Sequence, residues 1–204
     1  MNGFVRRVVR TAATSVLLAG LAAVVLPGAA SASVLDFGKC DNSSLSQPFT
    51  PWGDSDYYKL APGGDFEGTL AGWSLRGGAQ QIAGSESFDV TGNPDSSSLS
   101  LPAGAVATSP TTCVTAAYPD LRLFTRTDTP GSTVAVSVVY GGLTIPVGVV
   151  TPTSDWQPTV PMPTLSAIPG LLNGGVANVS LRFTAVLGHV QIDDAYIDPS
   201  GRCC

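Results

Sequence analysis

Short segments of alternating apolar and polar residues, cut apart by glycine and proline, set the strongest limit on what this chain can fold into. Leu121, Leu123 and Thr125 alternate with Arg122, Phe124 and Arg126. Val134, Val136 and Val138 alternate with Thr133, Ala135 and Ser137, and Leu143, Ile145, Val147 and Val149 share one side. Val179, Leu181 and Phe183 alternate with Ser180, Arg182 and Thr184. Leu99 and Leu101 alternate with serines, and Val190 and Ile192 open a last segment. A period of two places successive side chains on opposite faces of a strand. Turn signals separate the segments: Asn93-Pro94-Asp95, Asp128-Thr129-Pro130-Gly131, Gly141-Gly142 and Asn173-Gly174-Gly175. Short alternating strands at this spacing predict an all-β fold, a sandwich or a barrel. With 23 Gly and 16 Pro in 204 residues, a helical bundle is excluded, because both residues destabilise helix interiors. Beyond a turn near Ser166 to Leu172, interrupted by Pro169, no helix is expected.

The start of the chain reads as an address. Arg6, Arg7 and Arg10 precede an uncharged, largely apolar run from Thr11 to Leu26, which Pro27 and Gly28 break before Ala30-Ser31-Ala32. This is the plan of a secretory signal peptide, expected over residues 1–32, so the protein is expected to be secreted, with no membrane span left after cleavage. Residues 33–61 carry Pro48 and Pro51 among Trp52, Tyr57 and Tyr58 and read as an arm packed on the domain. Residues 62–200 then form one β domain, followed by a tail at 201–204. The net charge of −5 gives no support to nucleic-acid binding, which needs a basic surface. Cys40, Cys113, Cys203 and Cys204 match no zinc spacing, and an even count in an exported chain suggests bridges. Of three connectivities, Cys40–Cys113 is expected, tying the arm to the strand around Thr112–Thr115. Oligomeric state is not readable.

Several motifs, taken in order, carry a resemblance. Gly64-Asp65-Phe66-Glu67-Gly68 with Gly72-Trp73 opens the domain, and Ser98-Leu99-Ser100-Leu101-Pro102 and Asp155-Trp156-Gln157 mark its middle. Val179-Ser180-Leu181-Arg182-Phe183 then leads to Gln191-Ile192-Asp193-Asp194-Ala195-Tyr196-Ile197. This order resembles carbohydrate-binding modules with the galactose-binding-like jelly roll. The resemblance implies a β-sandwich jelly roll from about Pro62 to Asp198. Trp73, just after the first turn, reads more readily as a core residue than as part of a binding face. It also implies a structural calcium where the opening Phe-Glu segment meets the Asp-Asp strand. Glu67 and Asp194 would be its side-chain ligands, with Asp193 or Asp65 in reserve.

Catalytic residues are scarce. His189 is the only histidine, Glu67 and Glu86 are the only glutamates, and no Gly-x-Ser-x-Gly elbow occurs. Asp193 and Asp194, adjacent on a strand, are expected on opposite faces and so not as a facing pair. The chain is therefore expected not to be an enzyme. If Leu121, Leu123, Leu181 and Phe183 point inward, then Arg122, Phe124, Arg126 and Arg182 point outward. Were the two strands in one sheet, they would form a basic stripe with an aromatic at its centre. Trp156 or Tyr140 would extend it. Arginine donors and an aromatic face suit hydroxyls, carboxylates and sugar rings. The expected function is a noncatalytic module for extracellular polysaccharide or cell-envelope glycan. The alternative is a structural or interaction protein of the cell surface, with such a face covered by the arm or lined by small residues.

Overall fold

The computed structural model describes residues 44–115, 120–163 and 176–198. The chain separates into Met1–Ala32 and Ser33–Cys204, and every described residue belongs to the second unit. The signal peptide, Cys40, the turn near Ser166 and the tail with Cys203 and Cys204 lie outside the described residues. Among the described residues there is no helix long and apolar enough to cross a membrane. Among the described residues a 3-10 turn at Thr50–Trp52 comes first, and thirteen strands follow.

The fold is all-β, with two antiparallel sheets packed face to face. The first has the order β10 (Gln157–Pro158), β7 (Asp120–Arg126), β13 (Val190–Ile197), β4 (Ser97–Leu101), β3 (Gln80–Ala83), with β1 (Lys59–Leu60) on β13 and β11 (Met162–Pro163) on β7. The second has the order β2 (Ser74–Arg76), β5 (Val106–Thr108), β12 (Val176–Leu187), β8 (Thr133–Tyr140), β9 (Leu143–Val150), with β6 (Thr112–Thr115) also on β12. The alternation seen in the sequence fills the space between them. Leu99, Leu101, Leu121, Leu123, Val134, Val136, Val138, Leu181, Phe183 and Ile192 are all fully buried in one cluster. Trp73 packs against that cluster, stacked on Phe183 at 6.2 Å, and its indole N–H donates to the Pro62 carbonyl.

β13 is the strand around which the first sheet is organised. One of its edges is shared by two short strands: β4 pairs with Val190–Ile192, and β1 pairs with Tyr196–Ile197. Between them the ladder is interrupted. The register against β7 shifts between Asp193 and Tyr196, and Asp194 takes a left-handed backbone with φ 46°. The 61–64 loop fills the gap: the Ala61 amide donates to the Ala195 carbonyl, and the Ala195 amide donates to Gly64. A Cβ on Gly64 would lie 2.7 Å from the Ala195 oxygen and 3.0 Å from the Ala61 oxygen, both backbone atoms that cannot rotate away. Gly64→Ala is therefore expected to destabilise the protein by about 2 kcal/mol, as overpacking does. Thermal unfolding of the variant measures this, and an unchanged melting temperature would show that the loop has room to shift.

Residues 44–58 lie on the outer face of the first sheet and lead into β1. Phe49, Tyr58, Phe124 and Tyr196 form a second buried cluster there, joined by Trp52, Leu60, Val90 and Trp156. Ser46 and Tyr58 exchange two backbone hydrogen bonds, which close this segment on itself. Tyr57, by contrast, is half exposed. Cys113, on β6, is disulfide-bonded, and all three of its possible partners lie outside the described residues.

Candidate functional site

β7 does point Arg122, Phe124 and Arg126 away from the main core, as the alternation requires, but that face is not open. Phe124 is fully buried. Phe49 stacks on it at 5.6 Å, Trp52 meets it edge-on at 5.3 Å, and Phe88 lies against it at 5.5 Å. The expectation that Phe124 offers a face to a sugar ring is corrected: the arm occupies that face. Arg122 is buried as well. Its Nη1 lies 2.6 Å from Asp54 Oδ2, its Nε donates to the Thr159 carbonyl, and its guanidinium sits 4.1 Å above the Phe49 ring.

Nor does a continuous basic stripe form, because β7 and β12 belong to different sheets. Arg182 stands on the outer face of the second sheet, donating to Thr108 Oγ1 and Thr144 Oγ1. Arg126 lies 5.7 Å from the centre of the Trp156 ring, so these two do meet, but Trp156 packs against the arm cluster. Tyr140 leans on the main core and extends no binding surface.

What the arm builds instead is a concavity of about 360 Å³ at its own edge, lined by Trp52, Asp54, Asp56, Arg122, Val160 and Pro161 among others. Asp54 is its best-organised group. It accepts from the Tyr58 hydroxyl at 2.8 Å, the Asp56 amide at 3.0 Å and Arg122. Burial pushes its carboxyl up, but those donors outweigh burial and hold it below the usual carboxylate range. Asp54 gave no signal in the sequence, since nothing local says that residue 54 faces residue 122.

The carboxylates expected to hold calcium are partly engaged elsewhere. Glu67 accepts from the Ser96 amide at 2.7 Å, the Ser96 hydroxyl at 2.9 Å and the Ser97 amide at 2.6 Å. Burial raises its pKa, and these donors more than reverse that, leaving it lowered. Asp65 Oδ1 accepts from the Glu67 amide. Glu67 thus caps the start of β4, and Asp65 holds the Glu67 backbone in place. The Asp193–Asp194 half behaves differently. The backbone break in β13 turns both side chains to the loop between β3 and β4, correcting the expectation of opposite faces. Asp193 accepts from the Glu86 amide at 2.9 Å and the Asp194 amide at 3.0 Å. Carboxylate oxygens of Asp194, Glu86 and Asp95 lie within 4.8 Å of one another. Burial, then crowding by Asp193, Asp95 and Glu86, pushes the Asp194 carboxyl far up. Burial does the same to Asp193 and, with neighbouring acids, lifts Asp95 to about 6.

His189 also has defined partners. Its Nε2 is 2.8 Å from Ser100 Oγ and its Nδ1 is 3.1 Å from Asp128 Oδ1. The order is that of a nucleophile, base and acid, but Ser100 is only 6% exposed, in a strand flanked by β3 and β13. The hydroxyl is shielded, and the row ties the β12–β13 turn to its neighbours.

No protein-family model matches the sequence, and no curated protein does. Solved structures do. The CBM22-1–GH10 modules of Clostridium thermocellum endo-1,4-beta-D-xylanase 10B align with a TM-score of 0.51 at 16% identity, over 73% of this chain and 30% of that one. The C-terminal CBM6 of a laminarinase from Zobellia galactanivorans aligns at 0.44 and 10% identity, over 61% and 90%. The family 11 carbohydrate-binding module of Clostridium thermocellum aligns at 0.42 and 12% identity, over 72% and 98%. With its two antiparallel sheets, the chain has the jelly-roll β-sandwich fold of carbohydrate-binding modules.

Proposed function

We propose that this chain is an exported, noncatalytic glycan-binding protein whose site is the concavity built by the arm. One observation carries the reading: Trp52, Asp54, Asp56 and Arg122 converge on a space of about 360 Å³. An aromatic face beside carboxylates and a guanidinium matches the mixed apolar and hydroxyl-rich surface of a sugar ring. The shared fold adds the class of ligand to try first. The xylanase modules were solved with xylohexaose, so soluble β-linked oligosaccharides head the panel.

A glycan array followed by titration calorimetry tests the proposal, with dissociation constants expected in the micromolar to millimolar range. Val160 lines the concavity and is 76% exposed, so Val160→Arg fills the site without touching the core. Binding is expected to vanish while the melting temperature stays within about 1 °C, as for a surface change of under 0.5 kcal/mol. Retained binding by Val160→Arg would move the site elsewhere.

The second reading, a surface protein with no sugar ligand, is favoured by the other sheet. Its outer face carries Ser74, Thr108, Ala135, Ser137, Thr144 and Thr184 around Arg182, with no aromatic among the described residues. A silent array would select that reading.

A further inference from the structure

We infer that Phe88 is a second stacking subsite, so that the concavity and the loop between β3 and β4 together take a neutral oligosaccharide chain; this rests on the glycan-binding reading above. Trp52 joins the two places. It lines the concavity, and its ring meets the Phe88 ring at 4.8 Å and 86°. The two rings form a corner at the rim of the concavity. Phe88 is the exception among the described phenylalanines. Phe49, Phe66, Phe124 and Phe183 are fully buried, whereas Phe88 rests on Phe124 at 5.5 Å and keeps 42% of its surface in water. A lone exposed ring is ordinary by itself. What sets Phe88 apart is how firmly it is held.

Glu86, buried, turns its carboxylate back on the loop and accepts from the Phe88 and Val90 amides. Its own amide donates to Asp193 Oδ2 at 2.9 Å, which ties the loop to β13. At the base of the loop the Gly84 amide donates to the Ser96 carbonyl at 2.7 Å, and the Ser85 hydroxyl donates to the Asp95 carbonyl at 2.9 Å. A buried carboxylate thus fixes a ring that faces water, and a fixed ring loses little freedom when a ligand stacks on it. The surroundings select the partner. Ser87 and Asp89 flank Phe88, and both are exposed, so the ring is one apolar face framed by polar groups. The centre of a protein interface is apolar over a contiguous area. A sugar ring instead offers a single C–H face edged by hydroxyls, which matches an electron-rich aromatic face beside hydrogen-bonding groups. Charge narrows the class further. Asp54 and Asp56 line the concavity and Asp89 flanks the ring, while Arg122, the cation among those lining residues, is already held by Asp54 and the Thr159 carbonyl. A chain bearing uronic acids meets carboxylates at both places, so a neutral chain is favoured.

The test is calorimetric titration of the purified full chain with β-linked xylose and glucose oligomers of two and six residues. For the unaltered protein the hexamer is expected to bind about tenfold more tightly than its dimer, the size of one added aromatic contact. Phe88→Leu keeps an apolar cover over Phe124 and removes the ring. It is expected to weaken the hexamer about tenfold and the dimer at most about twofold. Phe88→Tyr restores the ring and the hexamer's advantage. A hexamer of uronic acid is expected to bind about fivefold more weakly than the neutral one at low salt, with the gap closing as salt is added. Val160→Arg separates this inference from the reading beneath it. If Val160→Arg abolishes binding while Phe88→Leu leaves the hexamer's advantage intact, the concavity stands and the Phe88 subsite falls. Equal affinity of dimer and hexamer for the unaltered protein overturns the subsite as well, and a uronic acid hexamer bound as tightly as the neutral one overturns the choice of a neutral chain. No binding of either neutral series overturns the whole inference, whereas only a silent array overturns the glycan-binding reading.

Discussion

Replacing Phe49 by alanine is expected to lower the melting temperature by about 10 °C and to free the arm from the sheet. Phe49 is fully buried and is the hub of the outer cluster. Its ring meets Tyr58 at 5.0 Å, Phe124 at 5.6 Å and Tyr196 at 5.6 Å, and the Arg122 guanidinium rests on it at 4.1 Å. A buried Phe→Ala change costs about 3–5 kcal/mol, at roughly 2–4 °C per kcal/mol for a chain of this size. The loss is local in character. The outer cluster is separate from the main core, so the arm should open as its own unit before the sandwich does. Hydrogen exchange is expected to speed up at the paired Ser46 and Tyr58 amides while the β8 and β12 amides stay protected. A melting temperature within 2 °C of the original would mean that the remaining ring contacts hold the arm without Phe49.

Breaking the Arg122–Asp54 pair is the second large effect. The two side chains are 6% and 15% exposed, so removing either leaves its partner charged and largely shielded from water. Such deletions cost about 3–5 kcal/mol, whereas replacing both partners by apolar groups is much milder. Arg122→Ala and Asp54→Ala are each expected to be severe, and the combined variant Asp54→Ala with Arg122→Met milder than either predicts, a coupling that a double-mutant cycle reads directly. The pair also sets a pH dependence. The folded-state pKa of Asp54 is depressed, so its contribution is present above the ordinary carboxylate pKa and is lost as pH falls through the lower folded value. The acid limb of the stability curve, below about pH 4, should therefore flatten in Asp54→Asn relative to the original protein. Parallel acid limbs would show that Asp54 titrates as in the unfolded chain.

How much of this was written in the sequence depends on which link is asked about. Alternation placed Leu121, Leu123, Val134, Val136, Val138, Leu181 and Phe183 inside, and they are inside. It also placed Arg122 and Phe124 on the far side of β7. It had no means of saying what covers that side, because the covering residues, Phe49, Trp52 and Phe88, come from irregular segments with no period. Sheet membership is equally silent in a period of two. Arg126 and Arg182 look alike in the sequence and end on different sheets, since pairing partners are chosen over long separations. The acidic cluster failed for a third reason. Asp193 and Asp194 obey strand alternation only while the strand is regular, and the change of partner from β4 to β1 breaks it there. Glu86 and Asp95 belong to a loop whose position follows from β3 pairing with β4 and β4 with β13, a chain of neighbours that no local motif encodes.

The outermost strand of the second sheet bears on self-association. β9 lies at the end of its sheet and carries apolar Leu143 and Val149 exposed to solvent, a combination that invites another copy to add a strand. Pro146 in its middle has no amide proton to give, and the register against β8 shifts between Val136 and Ser137, beside it. Beyond it, Gly148 is covered by the Met162 side chain, whose sulfur would lie 2.7 Å from a Cβ there. An incoming strand meets a missing donor and a kinked backbone within a few residues of starting to pair. Crowded together at high concentration, copies of this chain would find this apolar edge hard to extend into a fibril.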